Sequence, residues 1–276
     1  MTPTRPKSLP GRHFVRNLIE RRALIAQLVR RDFDQRYIGS AAGWLWGVAH
    51  PLISLLTYYF VFQICLKQTL PTDAPTTSYV MFLLSGYLPW MLFQDTVTRS
   101  ASSLVEQSNL ITKTVFPSEV VAVAIFLSSL IQHLIGLGVV MVAGLVLVHS
   151  VSPMLLLLPV YMLLVGLLAI GIGWIASSLH VYLRDTGQVL TIVMTLWFWA
   201  TPIMIRKDQV PPYLQFIIQW NPLSRIVEAY RDEILRPTWP WPNLHELGIG
   251  AAYSIAVFIA GGLFFRVLKR GFADVL

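Results

Sequence analysis

The sequence holds a single cysteine, Cys65, so no intrachain disulfide and no cysteine metal cluster can form. Its histidines, His13, His50, His133, His149, His180 and His245, show no H-x-x-x-H or similar ligand spacing and read as scattered polar residues at membrane interfaces or helix contacts. None of the lysines, Lys7, Lys67, Lys113, Lys207 or Lys269, follows a glycine. The Gly-Lys-Ser/Thr loop that holds nucleotide phosphates is therefore missing, and the chain is no ATP motor of that kind. Charge is scarce, at 13% of residues, where soluble domains carry about 25%. The basic first 43 residues lack an apolar run of about 7–15 residues with a small-residue cleavage site, so no cleavable signal peptide is expected.

What the sequence does have is apolar surface. Of its 276 residues, 55% are hydrophobic, and the mean hydropathy is +0.62. A soluble domain of this length would leave much of that surface in water, whereas lipid accommodates it. Stretches long enough to cross roughly 30 Å of hydrocarbon lie at Trp44–Leu66, Tyr79–Thr98, Val120–Val148, Pro153–Leu179, Gln188–Ile205 and Leu247–Phe265. Pro89 interrupts the second, and the fifth is short and aromatic. Backbone facing lipid must satisfy its own hydrogen bonds, and the alternation of a membrane barrel is absent, so each stretch predicts a helix. The expected fold is all-α, a polytopic membrane protein with six transmembrane helices.

The charge distribution fixes an orientation. Six spans put fifteen Lys and Arg on the side of both termini and six on the other. The positive-inside rule makes the richer side the cytoplasm, which places both ends there. The net charge of +7 then faces anionic headgroups. Nucleic acid is not an expected partner, because no aromatic-plus-basic platform stands outside the apolar segments.

The whole chain, 1–276, reads as one transmembrane domain: a cytoplasmic segment 1–43, spans one to five over 44–205, an outer segment 206–246, and span six with its tail over 247–276. Within 12–36, Phe14, Leu18, Ile25, Leu28, Val29 and Phe33 recur at near-helical spacing among Arg16, Arg21, Arg22, Arg30 and Arg31. This pattern predicts an amphipathic helix on the cytoplasmic leaflet. The 206–246 segment is broken by prolines at 211, 212, 222, 237, 240 and 242. It predicts two short re-entrant helices that dip into the outer interface or the protein. Small residues at intervals of four, namely Gly39, Gly43 and Gly47, then Ala169, Gly173 and Ser177, then Gly248, Ala252, Ala256 and Ala260, predict stripes where helices of the bundle approach closely.

Candidate chemistry is thin, and no catalytic or metal-ligating residue is assigned. The only acid within a predicted span is Asp95, expected to pair with Arg99 at i,i+4 near the cytoplasmic end. Asp32 and Asp34 form a D-x-D, but on a helix they point roughly 200° apart and read as surface ion pairs with Arg30, Arg31 and Arg36. Trp44, Trp46, Tyr58, Tyr59, Tyr87, Trp90, Trp197 and Trp199 lie within or at the ends of spans. They fit either an interfacial aromatic belt or faces on which sugar C–H surfaces stack and slide.

The runs Arg36-Tyr37-Ile38-Gly39-Ser40, Gly43-Trp44-Leu45-Trp46 with Pro51, and Gly86-Tyr87-Leu88-Pro89-Trp90 open a series that covers nearly the whole chain. It continues through Asn109-Leu110-Ile111, Phe116-Pro117-Ser118-Glu119 and Val181-Tyr182-Leu183-Arg184-Asp185. It closes with Thr201-Pro202, Asn221-Pro222-Leu223-Ser224, Tyr230-Arg231-Asp232 and Phe272-Ala273-Asp274. In order and spacing this series resembles the membrane-spanning permease of type-2 ABC exporters for polysaccharides, the O-antigen, capsule and teichoic acid export family.

The resemblance implies a homodimer in a bacterial inner membrane, joined to two copies of a separate ATPase that carries ATP and Mg, with no cofactor on this chain. The cargo it implies is a lipid-linked polysaccharide, moved along the dimer axis. Residues 103–117, with Glu106, Asn109, Lys113, Phe116 and Pro117, resemble the helix that docks on the ATPase. The N-terminal helix resembles one at the cytoplasmic entrance. The 209–236 segment, with Pro212, Tyr213, Phe216, Trp220, Asn221 and Pro222, resembles the paired helices that close the outer side. Tyr37 joins the aromatic candidates for the path, and Arg184 and Asp185 mark a cytoplasmic loop. A type-2 permease for a drug or lipid is the alternative within transport, and a membrane-embedded glycosyltransferase or acyltransferase the alternative outside it. An ion-coupled carrier is disfavoured because few titratable groups lie within the spans.

Overall fold

The computed structural model describes residues 21–37, 39–40, 42–43, 45–70, 78–113, 116–147, 153–235 and 243–275. Every regular element among them is helical: α1 (Arg22–Tyr37), α2 (Leu45–Tyr58), α3 (Tyr79–Glu106), α4 (Ser108–Lys113), α5 (Glu119–Leu147) and α6 (Leu158–Tyr182). There follow α7 (Thr186–Trp199), α8 (Gln215–Trp220), α9 (Pro222–Leu235), α10 (Leu244–Leu268) and α11 (Phe272–Val275). α2 runs on into a π-helical stretch over Tyr59–Cys65. Among the described residues, four helices are long and apolar enough to cross a membrane: Leu45–Cys65, Glu119–Val146, Leu155–Tyr182 and Leu244–Gly271. The apolar α7 is shorter, at 14 residues. α3 is long, but its second half carries Asp95, Thr96, Thr98, Arg99 and Ser100.

α3 is the centre of the bundle. α5, α6 and α9 pack around it, and Trp90, Phe93, Met81 and Leu83 are among the side chains they enclose. The helix passes through Pro89 without a break. Proline removes one intrahelical hydrogen bond, but the packed neighbours hold both turns in line. Ser78 caps its start by accepting from the Met81 amide at 3.5 Å.

The small-residue stripes are only partly where their spacing places them. Ala169, Gly173 and Ser177 are buried, and a Cβ on Gly173 would come within 2.9 Å of the Ser100 Cβ of α3. α6 meets α10 at a different pair, Gly171 and Gly261. A Cβ on Gly171 would stand 2.6 Å from the Val257 carbonyl oxygen, and one on Gly261 would strike the Gly171 backbone. Gly248, Ala252, Ala256 and Ala260 are exposed instead, because α10 turns Gly250, Ser254, Gly261 and Phe265 inward. Gly39 and Gly43 precede α2 and hold positive φ, 79° and 51°, so they serve turns and form no helix stripe. Gly47 alone of that set lies in α2, buried, where its carbonyl accepts from Gln132 Nε2 at 2.6 Å.

α1 differs from its expected role of lying on lipid with its apolar face. Ile25 and Leu28 pack on Val120 and Ala124 of α5, with Leu24, Val29 and Phe116 around them. Phe14, Arg16 and Leu18 of the same pattern lie outside the described residues. At the other terminus α11 folds back, burying Phe272 between Phe265 and Tyr182, with ring centroids 5.5 and 6.2 Å away. Lys269 forms an ion pair with Glu119 at the start of α5.

Candidate transport and coupling site

Toward the C-terminal end of α3, charged side chains of α3 and of α1, which packs on α5, close a ring. Asp32 and Arg36 sit one turn apart on α1, and Asp95 and Arg99 one turn apart on α3. Asp95 Oδ2 accepts from Arg36 Nη2 at 2.9 Å and from Ser129 Oγ of α5 at 2.6 Å. Arg99 Nη2 donates to Asp32 Oδ1. The remaining corners are longer, Arg36 Nε to Asp32 Oδ2 at 3.8 Å and Arg99 Nη1 to Asp95 Oδ2 at 3.7 Å. The i,i+4 pairing of Asp95 with Arg99 is thus present but loose, and Arg36 is the tighter partner. Asp32 turns inward to Arg99, whereas Asp34 pairs with exposed Arg30 at 3.9 Å. The two carboxylates of the D-x-D therefore engage different arginines.

Beside the ring is a cavity of about 320 Å³, with Arg31, Asp32, Gln35 and Arg99 on one wall and Glu106, Gln107 and Asn109 on another. The second wall is where α3 gives way to α4. Glu106 and Asn109 are exposed, Phe116 is half-buried against α1, and Pro117 is buried. The Lys113 side chain lies outside the described residues. Arg184 and Asp185 are exposed between α6 and α7.

The aromatic candidates divide. Tyr58, Tyr87 and Trp90 join one row of edge-on rings through Phe198, and Trp197 makes a separate edge-on pair with Phe93. Tyr58 meets Tyr87 at 5.7 Å, and Tyr87 meets Phe198 at 6.4 Å. Phe198 meets Trp90 at 5.5 Å, and Trp197 meets Phe93 at 5.1 Å. Such T-shaped pairs set the quadrupole of one ring against the edge of the next. Trp90 is 1% exposed and donates Nε1–H to Gln94 at 2.8 Å, so it is core and presents no face to a path. Tyr59 is half-buried. Trp46 and Trp199 are 53% and 63% exposed. Trp44 and the Tyr37 side chain lie outside the described residues.

At the opposite end of α3, the proline-rich segment separates into an exposed piece and a buried one. Pro212, Tyr213, Phe216 and Trp220 are exposed, the tyrosine by 75% and the tryptophan by 71%. Asn221 is buried and uses its whole amide. Its Oδ1 accepts from Trp197 Nε1 at 2.9 Å and from the Leu223 amide at 3.0 Å. Its Nδ2 donates to the Ala200 carbonyl at 3.2 Å and to Thr201 Oγ1 at 2.9 Å. Half-buried Pro222 opens α9, where a missing N–H costs nothing, so Asn-Pro is an N-cap followed by a first-turn proline.

α9 is fixed deep in the bundle. Arg231, 5% exposed, donates to the carbonyls of Phe82, Pro202 and Ile203 at 3.1, 2.8 and 2.9 Å. Its guanidinium carbon lies 3.7 Å from the Phe82 ring centroid. Burial lowers Arg231 to about 10, opposed by Glu228 and Asp232, so it stays protonated at neutral pH. Tyr230 Oη lies 2.6 Å from His133 Nε2 of α5, Tyr161 Oη of α6 donates to Glu233 at 3.5 Å, and Arg225 pairs with Glu246 of α10.

Sequence reasoning missed Arg231 and Tyr230 as contact makers; it had the pairs Asp32 with Arg36 and Asp95 with Arg99 but missed that Asp32 also meets Arg99 and Arg36 meets Asp95. The repeated Asp-x-x-x-Arg spacing at 32/36 and 95/99 was a visible signal. Nothing in the sequence places a guanidinium against backbone carbonyls 28 to 149 residues away.

The chain is 28% identical over 256 residues to the O-antigen export system permease protein RfbA of Klebsiella pneumoniae, covering 92% of this chain and 95% of that protein. It is 26% identical over 262 residues to RfbA of Myxococcus xanthus, covering 94% and 98%. It is 24% identical over 244 residues to the polysialic acid transport protein KpsM of Escherichia coli, covering 87% and 89%. The family model for ABC-2 type transporters matches residues 23–235, from α1 through α9, and the chain belongs to that family of multi-pass membrane permeases.

Proposed function

We propose that this chain is the transmembrane subunit of an ATP-driven exporter that moves a lipid-linked polysaccharide from the cytoplasm across the inner membrane. Permeases of the ABC-2 family pair with separate ATPase subunits. The cargoes named for the relatives, O-antigen and polysialic acid, are both glycans.

The observation that carries the reading is the uncovered face of α7. Gln188, Thr191, Thr195 and Trp199 are all exposed, and their spacing puts them in one stripe along the helix. Thr191 and Thr195 donate to the carbonyls four residues back at 3.0 and 2.9 Å, which leaves their oxygen lone pairs free to accept. α2 is uncovered too, with Trp46 and Thr57 exposed. Hydroxyl, amide and indole groups along an apolar helix suit a sugar chain, which offers hydroxyls and C–H faces in alternation and must slide.

On this reading α2, α3, α5, α6, α7 and α10 are the six crossings, within one transmembrane domain whose termini are both cytoplasmic. Two copies enclose the path between their α2 and α7 faces, and two ATPase subunits dock at α4, Phe116 and Pro117. Exposed Tyr213, Phe216 and Trp220 close the outer end. The test has two arms. Deleting the gene should abolish surface glycan while cytoplasmic synthesis continues. The purified chain should hydrolyse no ATP until the nucleotide-binding partner is added. Unchanged surface glycan would favour a permease for a drug or lipid, and robust ATPase activity of the chain alone would overturn the reading.

A further inference from the structure

We infer that the ring Asp32–Arg36–Asp95–Arg99 is a latch that seats α1 on α3 and α5, with Asp95 as its positioning residue, released when the coupling segment moves. The inference rests on the proposed docking of an ATPase at α4. Three features separate a latch from a static staple.

The ring is balanced in charge but incompletely bonded. Hydrogen bonds close two corners, while the other two stand at 3.8 and 3.7 Å. Asp32 Oδ2, Arg36 Nε and Arg99 Nη1 are consequently buried with no hydrogen-bond partner. Unsatisfied polar atoms oppose the seat they sit in, so this arrangement is held less firmly than its charge count implies. The side chains of the ring are 18% to 37% exposed, enough for water to take over each group once α1 shifts.

The rest of the α1 seat is small. Ile25 and Leu28 meet Val120 and Ala124 in a satellite cluster separate from the main core. Phe116 of the proposed docking segment belongs to that same cluster, so displacing it loosens α1 directly. Space for the displacement already exists, since the cavity of about 320 Å³ separates Arg31 and Asp32 of α1 from Glu106 and Asn109. Asp95 is the hub because its one Oδ2 meets groups on both other helices, Arg36 of α1 and Ser129 of α5. A role in carrying protons or substrate is not needed to explain a carboxylate there.

The test uses the full chain with its sole cysteine, Cys65, replaced by serine, and spin labels at Arg30→Cys on α1 and Ile131→Cys on α5, both exposed. In the complex with its ATPase partner, the label separation should change between the nucleotide-free and ATP-trapped states. Asp95→Asn should give the trapped-state separation without nucleotide, and should lower export about tenfold relative to ATP hydrolysis. Asp95→Glu should restore the resting separation. Equal separations in all nucleotide states, or an Asp95→Asn chain whose labels do not move, would overturn the latch. The Asp95→Asn displacement is also read on the chain alone, so failure to bind any ATPase would count against the proposed function and leave this measurement standing.

Discussion

The two ends of α3 use arginine in opposite ways. Near its start, Arg231 is enclosed and its donors are met by three backbone carbonyls at 2.8–3.1 Å. Near its end, Arg36 and Arg99 face carboxylates in a ring that is partly open to water, with two corners beyond hydrogen-bond reach. Carbonyls are fixed by the helices and turns that carry them, so the guanidinium at α9 has one place to be. Carboxylates on mobile side chains can exchange partners with each other and with water. One end is therefore built as an anchor and the other as a seat that can be left, although the sequence places its two irregular segments at the two ends of a path on equal terms.

The contrast can be broken at several places. Arg231→Ala has the largest expected effect, a loss of about 3–5 kcal/mol, because it strips partners from buried carbonyls and opens a gap beside Phe82. Thermal denaturation of the detergent-purified chain should show most of its stability gone, and near-normal melting would refute the anchor. Gly261→Val forces side-chain atoms into the Gly171 backbone and should cost about 1–3 kcal/mol, separating α10 from α6 in cross-linking assays. Asn221→Ala removes a helix cap and the partner of Trp197, and should cost roughly 1–2 kcal/mol, with a change in tryptophan fluorescence.

Asp95→Asn should cost about 1 kcal/mol or less, since the ring is partly solvated, while shifting α1. A loss as large as that of Arg231→Ala would make the ring an anchor as well. Trp199→Ala should stay within about 0.5 kcal/mol of the parent and yet slow export, because its ring is 63% exposed and sits edge-on to neighbouring Phe198 at 5.4 Å. A stability loss without an export defect would move Trp199 from the path to the fold.

Several elements could be read directly from residues. The stretch Val120–Val148 became Glu119–Leu147, and Leu247–Phe265 became Leu244–Leu268, because long apolar runs have few alternatives to helix. The proline-bracketed segment became α8 and α9 for an equally local reason, since proline ends helices and starts them. Helix rotation was less legible. The α10 stripe Gly248–Ala252–Ala256–Ala260 is exposed, while the face beginning at Gly250 is buried. In a helix apolar on all sides, composition does not say which side meets protein.

The sequence by itself determined that this is a helical membrane protein without a phosphate loop. Hydropathy, charge and the missing Gly-Lys motif are properties of the chain that no packing alters. Only the tertiary structure decided which charges meet. Asp32 keeps Arg36, one turn along α1, at 3.8 Å, but the packing of α1 on α5 also brought it to Arg99 of α3, 67 residues away. Arg231 similarly found its carbonyls through the depth at which α9 inserts. Charge pairing acts over a few ångströms in space, and spacing along the chain fixes that distance only within a single helix.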